Sequence, residues 1–177
     1  MTARKPRVGV SSCLLGKRVR YDGGYRHNPY ITDVLGKFFT WVPVCPEVEY
    51  GLGIPREPMR LVGNPARPRI VTVSGQDHTE GMMKWAEDRL IALEKENLSG
   101  FIFKSRSPSS AIRGVKVFST DGLECGEGPG IFGGAFIKCF PLIPVIDDED
   151  LGDNILRSNF LKSVFSYEKA KAPRKHG

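Results

Sequence analysis

Two cysteines, one glutamate and a run of serines are the residues of this chain best equipped for chemistry. Cys13 follows the apolar segment Arg7-Val-Gly-Val-Ser11, and Cys45 follows Phe39-Thr-Trp-Val-Pro-Val44. Glu47 stands two residues beyond Cys45, behind a proline, and residues 105–110 read Ser-Arg-Ser-Pro-Ser-Ser. Thiolates are soft ligands, so two of them on separate loops can grip a soft metal or an iron–sulfur cluster. Either thiol can instead serve as a nucleophile, or both can be small buried side chains. A phosphatase-type cysteine needs an arginine six positions on, and after Cys13 that position is Val19. An acyl-transfer cysteine needs a histidine, and of His27, His78 and His176 only His27 stands near Cys13 in sequence. With a carboxylate beside Cys45, the pair points to a ligand role. Glu47, in a rigid loop, is the candidate for proton transfer. The plainer alternative is an ion pair with a nearby arginine. The remaining cysteines, Cys125 and Cys139, complete no C-x-x-C pair, which disfavours a zinc ribbon or a thioredoxin-like motif.

Those residues need elements to place them. Short apolar strands are expected at residues 7–11, 39–44, 69–73, 100–104 and 142–146. Helices are expected at 29–38, with Pro29 in the first turn, at 79–96, at 131–140 and at 151–169. The second of these is the clearest, since Met82, Ala86, Leu90 and Leu93 repeat at helical spacing. Residues 115–118 alternate and lead into an Asp121-Gly122 turn, which reads as a hairpin arm. The proline-rich stretch 46–68 reads as extended loop. Gly126-Glu-Gly-Pro-Gly130 matches no nucleotide-binding fingerprint and reads as a structural loop. Strands alternating with helices predict an α/β fold: a single domain with an open, largely parallel sheet flanked by helices. Its expected extent is 1–170, followed by a basic tail at 171–177. In such sheets ligands bind beyond the carboxyl ends of the strands. The reading therefore gathers Cys13, Cys45, Glu47, Ser107 and Ser110 at one edge.

The 177 residues carry a formal charge of +6, unevenly spread. Residues 1–30 hold seven Lys or Arg against Asp22 alone, and residues 162–177 hold five against Glu168. Two basic ends on an acidic body suit a polyanion such as RNA, because clustered cations release counterions from phosphates. A solvated arm and tail is the plainer reading. No apolar run approaches the roughly 20 residues that a membrane span needs, and the basic N-terminus lacks the apolar stretch of a secretory signal. No membrane partner and a cytoplasmic location are expected.

Val8-Gly-Val-Ser-Ser-Cys-Leu-Leu-Gly16, Val19-Arg-Tyr-Asp-Gly-Gly24, Val42-Pro-Val-Cys-Pro-Glu47, Gly53-Ile-Pro-Arg56 and Ser105-Arg-Ser-Pro-Ser109 together resemble the thiouracil desulfidase family. The likeness runs from about Arg7 to Phe165, and it is nearest to the tRNA 4-thiouridine desulfidase branch, where Leu61-Val-Gly and Leu142-Ile-Pro-Val also recur. The resemblance implies a non-redox desulfuration that replaces sulfur by oxygen in a thiolated pyrimidine, free or in tRNA. It implies a 4Fe–4S cluster on three cysteines, with an open iron for the substrate's sulfur. Two of those ligands fall on Cys13 and Cys45, the catalytic carboxylate on Glu47 and the catalytic serine on Ser107. Ser12, Arg20 and Asp22, inside the first two segments, are expected at the substrate. The third family cysteine falls on Ser110, and a hydroxyl is a poor replacement for a thiolate on iron. Cys125, read as part of a Gly-rich loop, is then the expected third ligand. The alternative is a cluster-free nucleotide- or RNA-binding module of the same fold.

Overall fold

The computed structural model describes residues 4–171. Its central strand is β1 (Arg7–Ser11), in which Val8 and Val10 are fully buried on one side. Gly9, between them, leaves room on the other side for the ring of Phe101, into which a Cβ would run. β1 pairs in parallel with β2 (Thr40–Val44) and with β5 (Gly100–Phe103). β8 (Val145–Asp147) adds in parallel beyond β5, which gives the order β2-β1-β5-β8.

Both faces of this sheet are covered, as an all-parallel sheet requires. On one face Val8, Val10 and Ile102 pack with Ile31, Leu35, Phe160 and Val164. Phe160 and Val164 come from α4 (Asn154–Lys171), and Ile31 and Leu35 from the helical turns Tyr30–Val34 and Leu35–Lys37. On the other face Phe101 and Phe103 pack with α2 (Thr79–Lys95) and α3 (Ile131–Cys139). The two phenylalanines stack at 4.0 Å between ring centroids, and Phe136 meets both edge-on at 4.9 and 5.3 Å. A buried aromatic side chain of this kind contributes about 1.5–3 kcal/mol from burial, which anchors β5 and the loop after it.

A second sheet has the order β4-β3-β6-β7. It comprises β3 (Met59–Asn64), β4 (Arg67–Thr72), β6 (Val115–Phe118) and β7 (Glu124–Gly128). β3 runs parallel to β6, while the β3–β4 and β6–β7 pairs are antiparallel. The α/β expectation with a parallel sheet and flanking helices therefore holds, and the mixed sheet is an addition to it.

The proline-rich stretch 46–68 is irregular only over 51–58 and in the turn at 65–66. It contains α1 (Pro46–Tyr50), all of β3 and the start of β4. Its prolines sit where the chain tolerates a missing N–H. Pro46 opens α1, Pro65 lies in the β3–β4 turn, and Pro68 is on the edge strand of the sheet. The Gly-rich segment 126–130 is strand up to Gly128 and irregular only at Pro129 and Gly130. Gly126 is required there because a Cβ would lie 2.7 Å from the Pro65 ring. Among the described residues no helix is long and apolar enough to cross a membrane. Most of the expected basic tail lies outside the described residues.

α3 is seated directly on the backbone of the serine loop. Phe132 N donates to Ser109 O at 2.8 Å, Ile131 N to Pro108 O at 3.1 Å and Gly130 N to Ala111 O at 2.8 Å. This contact needs glycine twice: a Cβ at Gly130 would lie 2.7 Å from Ser107 O, and one at Gly133 would overlap the Ala111 carbonyl. Gly133→Ala is expected to destabilise the fold by about 1–3 kcal/mol through overpacking. A lower urea midpoint with an unchanged m-value would show it.

Candidate active site

The strand order reverses between β1 and β5: from β1 the chain moves outward to β2, then returns on the opposite side as β5. An open parallel sheet forms a crevice at such a switch point, outside the carboxyl ends of the two strands. Here the crevice is a cleft of about 680 Å³. Ser11 fixes its floor. Its hydroxyl accepts the Lys104 backbone N–H at 2.9 Å and shares a hydrogen bond with Ser110 Oγ at 3.0 Å. The end of β1 is thereby tied to the loop after β5.

Cys13 and Cys45 both line this cleft, as do Glu47, Ser107, Ser110, Ser12 and Arg20. Cys13 enters from the one-turn helix Ser12–Leu15, whose end is set by Gly16 in the left-handed region at φ 86°. Cys45 is the residue before α1, and its backbone N–H is held by Glu49 Oε1 at 3.0 Å. Burial pushes the Cys13 thiol up to about 11; Lys104 opposes this and Cys45 adds to it. Burial also raises Cys45, with a Val48 backbone hydrogen bond opposing and Glu47 adding.

Two expected site residues lie elsewhere. Asp22 is not among the cleft-lining residues. It accepts the Gly24 N–H at 2.9 Å, which holds its carboxyl below the usual carboxylate range, and so it shapes the turn at 21–24. Cys125 is an exposed residue of β7, with its sulfur 3.4 Å from the carbonyls of Gly63 and Val117. The structure does not bring it to Cys13 and Cys45.

Glu47 is held at both ends. Arg56 donates Nε to Oε2 at 2.6 Å and pairs with it through a second guanidinium nitrogen. Ser109 Oγ donates to Oε1 at 2.9 Å. Arg56 is itself fixed by the carbonyls of Val19 at 2.8 Å and Gly53 at 3.2 Å. Ser109 is 2% exposed and was not among the expected site residues, although it lies in the Ser-Pro-Ser segment that drew attention to Ser107. On the opposite wall, the Lys104 ammonium is bound by Asp148 at 2.9 and 3.1 Å and by Ser105 Oγ at 2.9 Å.

The donor set bears on iron. Two thiols line the cleft and Ser110 supplies a hydroxyl. Among the described residues no group of three or more His, Cys, Asp or Glu is placed to hold a metal ion. A three-thiolate cradle for a 4Fe–4S cluster is thus one sulfur short in this cleft, and neither Cys125 nor the exposed Cys139 fills the gap.

Fold and cleft together define an α/β domain with a thiol- and carboxylate-lined site at its switch point. The chain belongs to the 2-thiouracil desulfurase family, whose model matches residues 8–148. TudS, a [4Fe-4S]-dependent thiouracil desulfidase of known structure, superposes with a TM-score of 0.67 at 27% identity. The match covers 88% of this chain and 99% of TudS. An uncharacterized Bacillus subtilis (strain 168) protein, YbbK, is 36% identical over 106 residues, which is 56% of this chain and 70% of YbbK.

Two tests follow from this geometry. In metal-free protein at pH 8, a pKa near 11 leaves Cys13 about one part in a thousand thiolate, the reactive form. Peptide mapping after iodoacetamide is expected to show Cys125 and Cys139 modified well before Cys13. For the donor set, Ser110→Cys is expected to raise the iron and sulfide retained after anaerobic reconstitution toward the roughly four irons of a cubane. The unmodified chain stays below that level. A full complement in the unmodified chain would refute the two-thiol reading.

Proposed function

We propose that this protein replaces the sulfur of a thiolated pyrimidine by oxygen and releases it as sulfide, without net redox change. The observation that carries this reading is the convergence of Cys13, Cys45, Glu47 and Ser107 in one cleft at the sheet's switch point. Family membership and the likeness to TudS support the same chemistry. The balance is hydrolytic: the thiocarbonyl and water give the carbonyl and hydrogen sulfide. Glu47, whose Oε2 is occupied by Arg56, takes the proton of the attacking water on Oε1. Ser107 meets the tetrahedral intermediate. Ser12 and Arg20, both in the cleft lining, are assigned to substrate contact. Iron at this site is supported by the two cleft-lining thiols and by the requirement of TudS. Because the third thiolate is missing, no step above depends on it.

RNA as carrier of the base is the finer reading. Exposed Tyr21 lines the cleft and exposed Tyr25 follows four residues on, with Arg20 and Arg18 over their rings at 5.5 and 6.0 Å. Exposed aromatic and guanidinium faces of this kind suit unstacked bases. The four free thiols suit the reducing cytoplasm.

Glu47→Gln keeps the shape of the side chain but removes the base. It is expected to slow sulfide release from 2-thiouracil or 4-thiouridine by about 100- to 10,000-fold. Loss of the near-ultraviolet thiocarbonyl absorbance reports the rate. If the variant matches the parent chain, the role of Glu47 is wrong. A chain that binds RNA in a salt-dependent way but never releases sulfide would be the binding module instead.

A further inference from the structure

Three serines of one loop form a hydrogen-bonded chain that ends on Glu47, and its direction follows from what each group can do. An ionised carboxylate only accepts, so Ser109 spends its proton on Glu47 Oε1, at 2.9 Å. Ser109 Oγ lies 3.1 Å from Ser107 Oγ. With its own proton committed, Ser109 must accept there, and Ser107 must donate. Ser107 Oγ in turn accepts the backbone N–H of Ser110 at 3.1 Å. In the resting state every proton in the chain therefore points toward Glu47, and Ser107 has no proton free for a substrate.

We propose that Ser109 is a positioning residue that relays a proton between Glu47 and Ser107, so that the proton taken from water at Glu47 is returned to the substrate's sulfur at Ser107. The proposal rests on the desulfuration reading above. As water attacks, its oxygen bonds to the ring carbon, the C=S π pair moves onto sulfur, and Glu47 Oε1 gains a proton. A protonated Glu47 donates, which reverses the chain: Glu47 gives its proton to Ser109, Ser109 passes its own to Ser107, and Ser107 protonates the sulfur. The C–S bond then breaks and hydrosulfide leaves; Glu47 takes the proton of the new hydroxyl, which becomes the carbonyl, and hands that proton to hydrosulfide or bulk water, so hydrogen sulfide is the product and Glu47 is a carboxylate again. One proton enters and one leaves per passage, so the serines end as they began.

The surroundings hold this chain in place. Ser109 is 2% and Ser110 4% exposed. The loop carbonyls are held by the first turn of α3, with Phe132 N on Ser109 O at 2.8 Å. Arg56 occupies Oε2, so Oε1 is the oxygen left for both water and Ser109.

The test compares Ser109→Ala and Ser109→Thr with the unmodified chain, using 4-thiouridine and sulfide release as the assay. Ser109→Ala is expected to lower kcat at least about tenfold while KM moves less than about twofold, since the missing group acts only during the reaction. Ser109→Thr retains a hydroxyl and is expected to recover most of that loss. A proton inventory in mixed light and heavy water is expected to bow for the unmodified chain, with more than one proton in flight, and to be linear for Ser109→Ala. An unchanged kcat in Ser109→Ala, or no recovery with threonine, overturns the relay. If Ser109→Ala fails to fold, a linear inventory in the unmodified chain still overturns it. Absence of any sulfide from the unmodified chain overturns the desulfuration reading and the relay together. Normal turnover with an indifferent Ser109 overturns the relay alone.

Discussion

The hydroxyl of Ser11 joins the two halves of the site. Parallel pairing of β1 with β5 brings their carboxyl ends side by side, but pairing alone does not decide how the following loops lie. Ser11 does, by accepting the Lys104 N–H and meeting Ser110 Oγ across 99 residues of chain. The turn that carries Cys13 and the loop that carries the serines then face one hollow. β2, paired on the other side of β1, delivers Cys45 and Glu47 to the same edge. A shift of one residue in the β1–β5 register would turn Ser11 to the opposite face of the sheet and separate the two loops.

The serine loop is over-determined from behind. Its carbonyls accept from the start of α3, and two glycines of that helix permit the approach. This explains why the Gly-rich run before α3 is not an anion site: the N–H groups that would hold an anion are already spent on the protein's own backbone. It also explains how Arg106 is kept at φ 57°, an uncommon conformation for a residue with a Cβ, while its side chain pairs outward with Glu149. The backbone of the loop is fixed and its hydroxyls are aimed. With the oxygens held in line, only the hydroxyl protons need turn when charge moves.

Much of this arrangement was legible in the residues. The strands ending before Ser12 and Cys45 are apolar and short, α2 repeats at helical spacing, and the rule for parallel sheets then places Cys13, Cys45, Glu47, Ser107 and Ser110 together. What escaped had physical reasons. α1 has five residues, too few for a periodicity to show. β3 and β4 hide among prolines that mark turns and edges rather than irregular chain. Cys125 lies in Glu-Cys-Gly-Glu-Gly, a segment with no strand signature of its own, and becomes strand only because β6 offers a partner. The link from Ser109 to Glu47 spans 62 residues and depends on side-chain direction, which no spacing rule conveys.

Ser110 shows why a missing thiol need not leave a defect. A serine substituted into a metal cradle would ordinarily bury an unpartnered hydroxyl, at a cost of about 1–3 kcal/mol. Here Ser110 Oγ has Ser11 Oγ at 3.0 Å, and the buried side-chain atoms without a hydrogen bond among the described residues, Arg7 Nε and Arg89 Nε (the latter ion-paired to Glu49 Oε2 at 2.8 Å), lie outside the cleft. The wall is complete as hydroxyl chemistry. Cys13 and Cys45 line the same hollow, and burial raises both thiols. The protein therefore combines a soft pair of donors with a hard, fully bonded wall. The proposed exchange of sulfur for oxygen would need both kinds of donor in one cleft, the soft pair beside sulfur and the hydroxyl wall, ending at Glu47, where protons move.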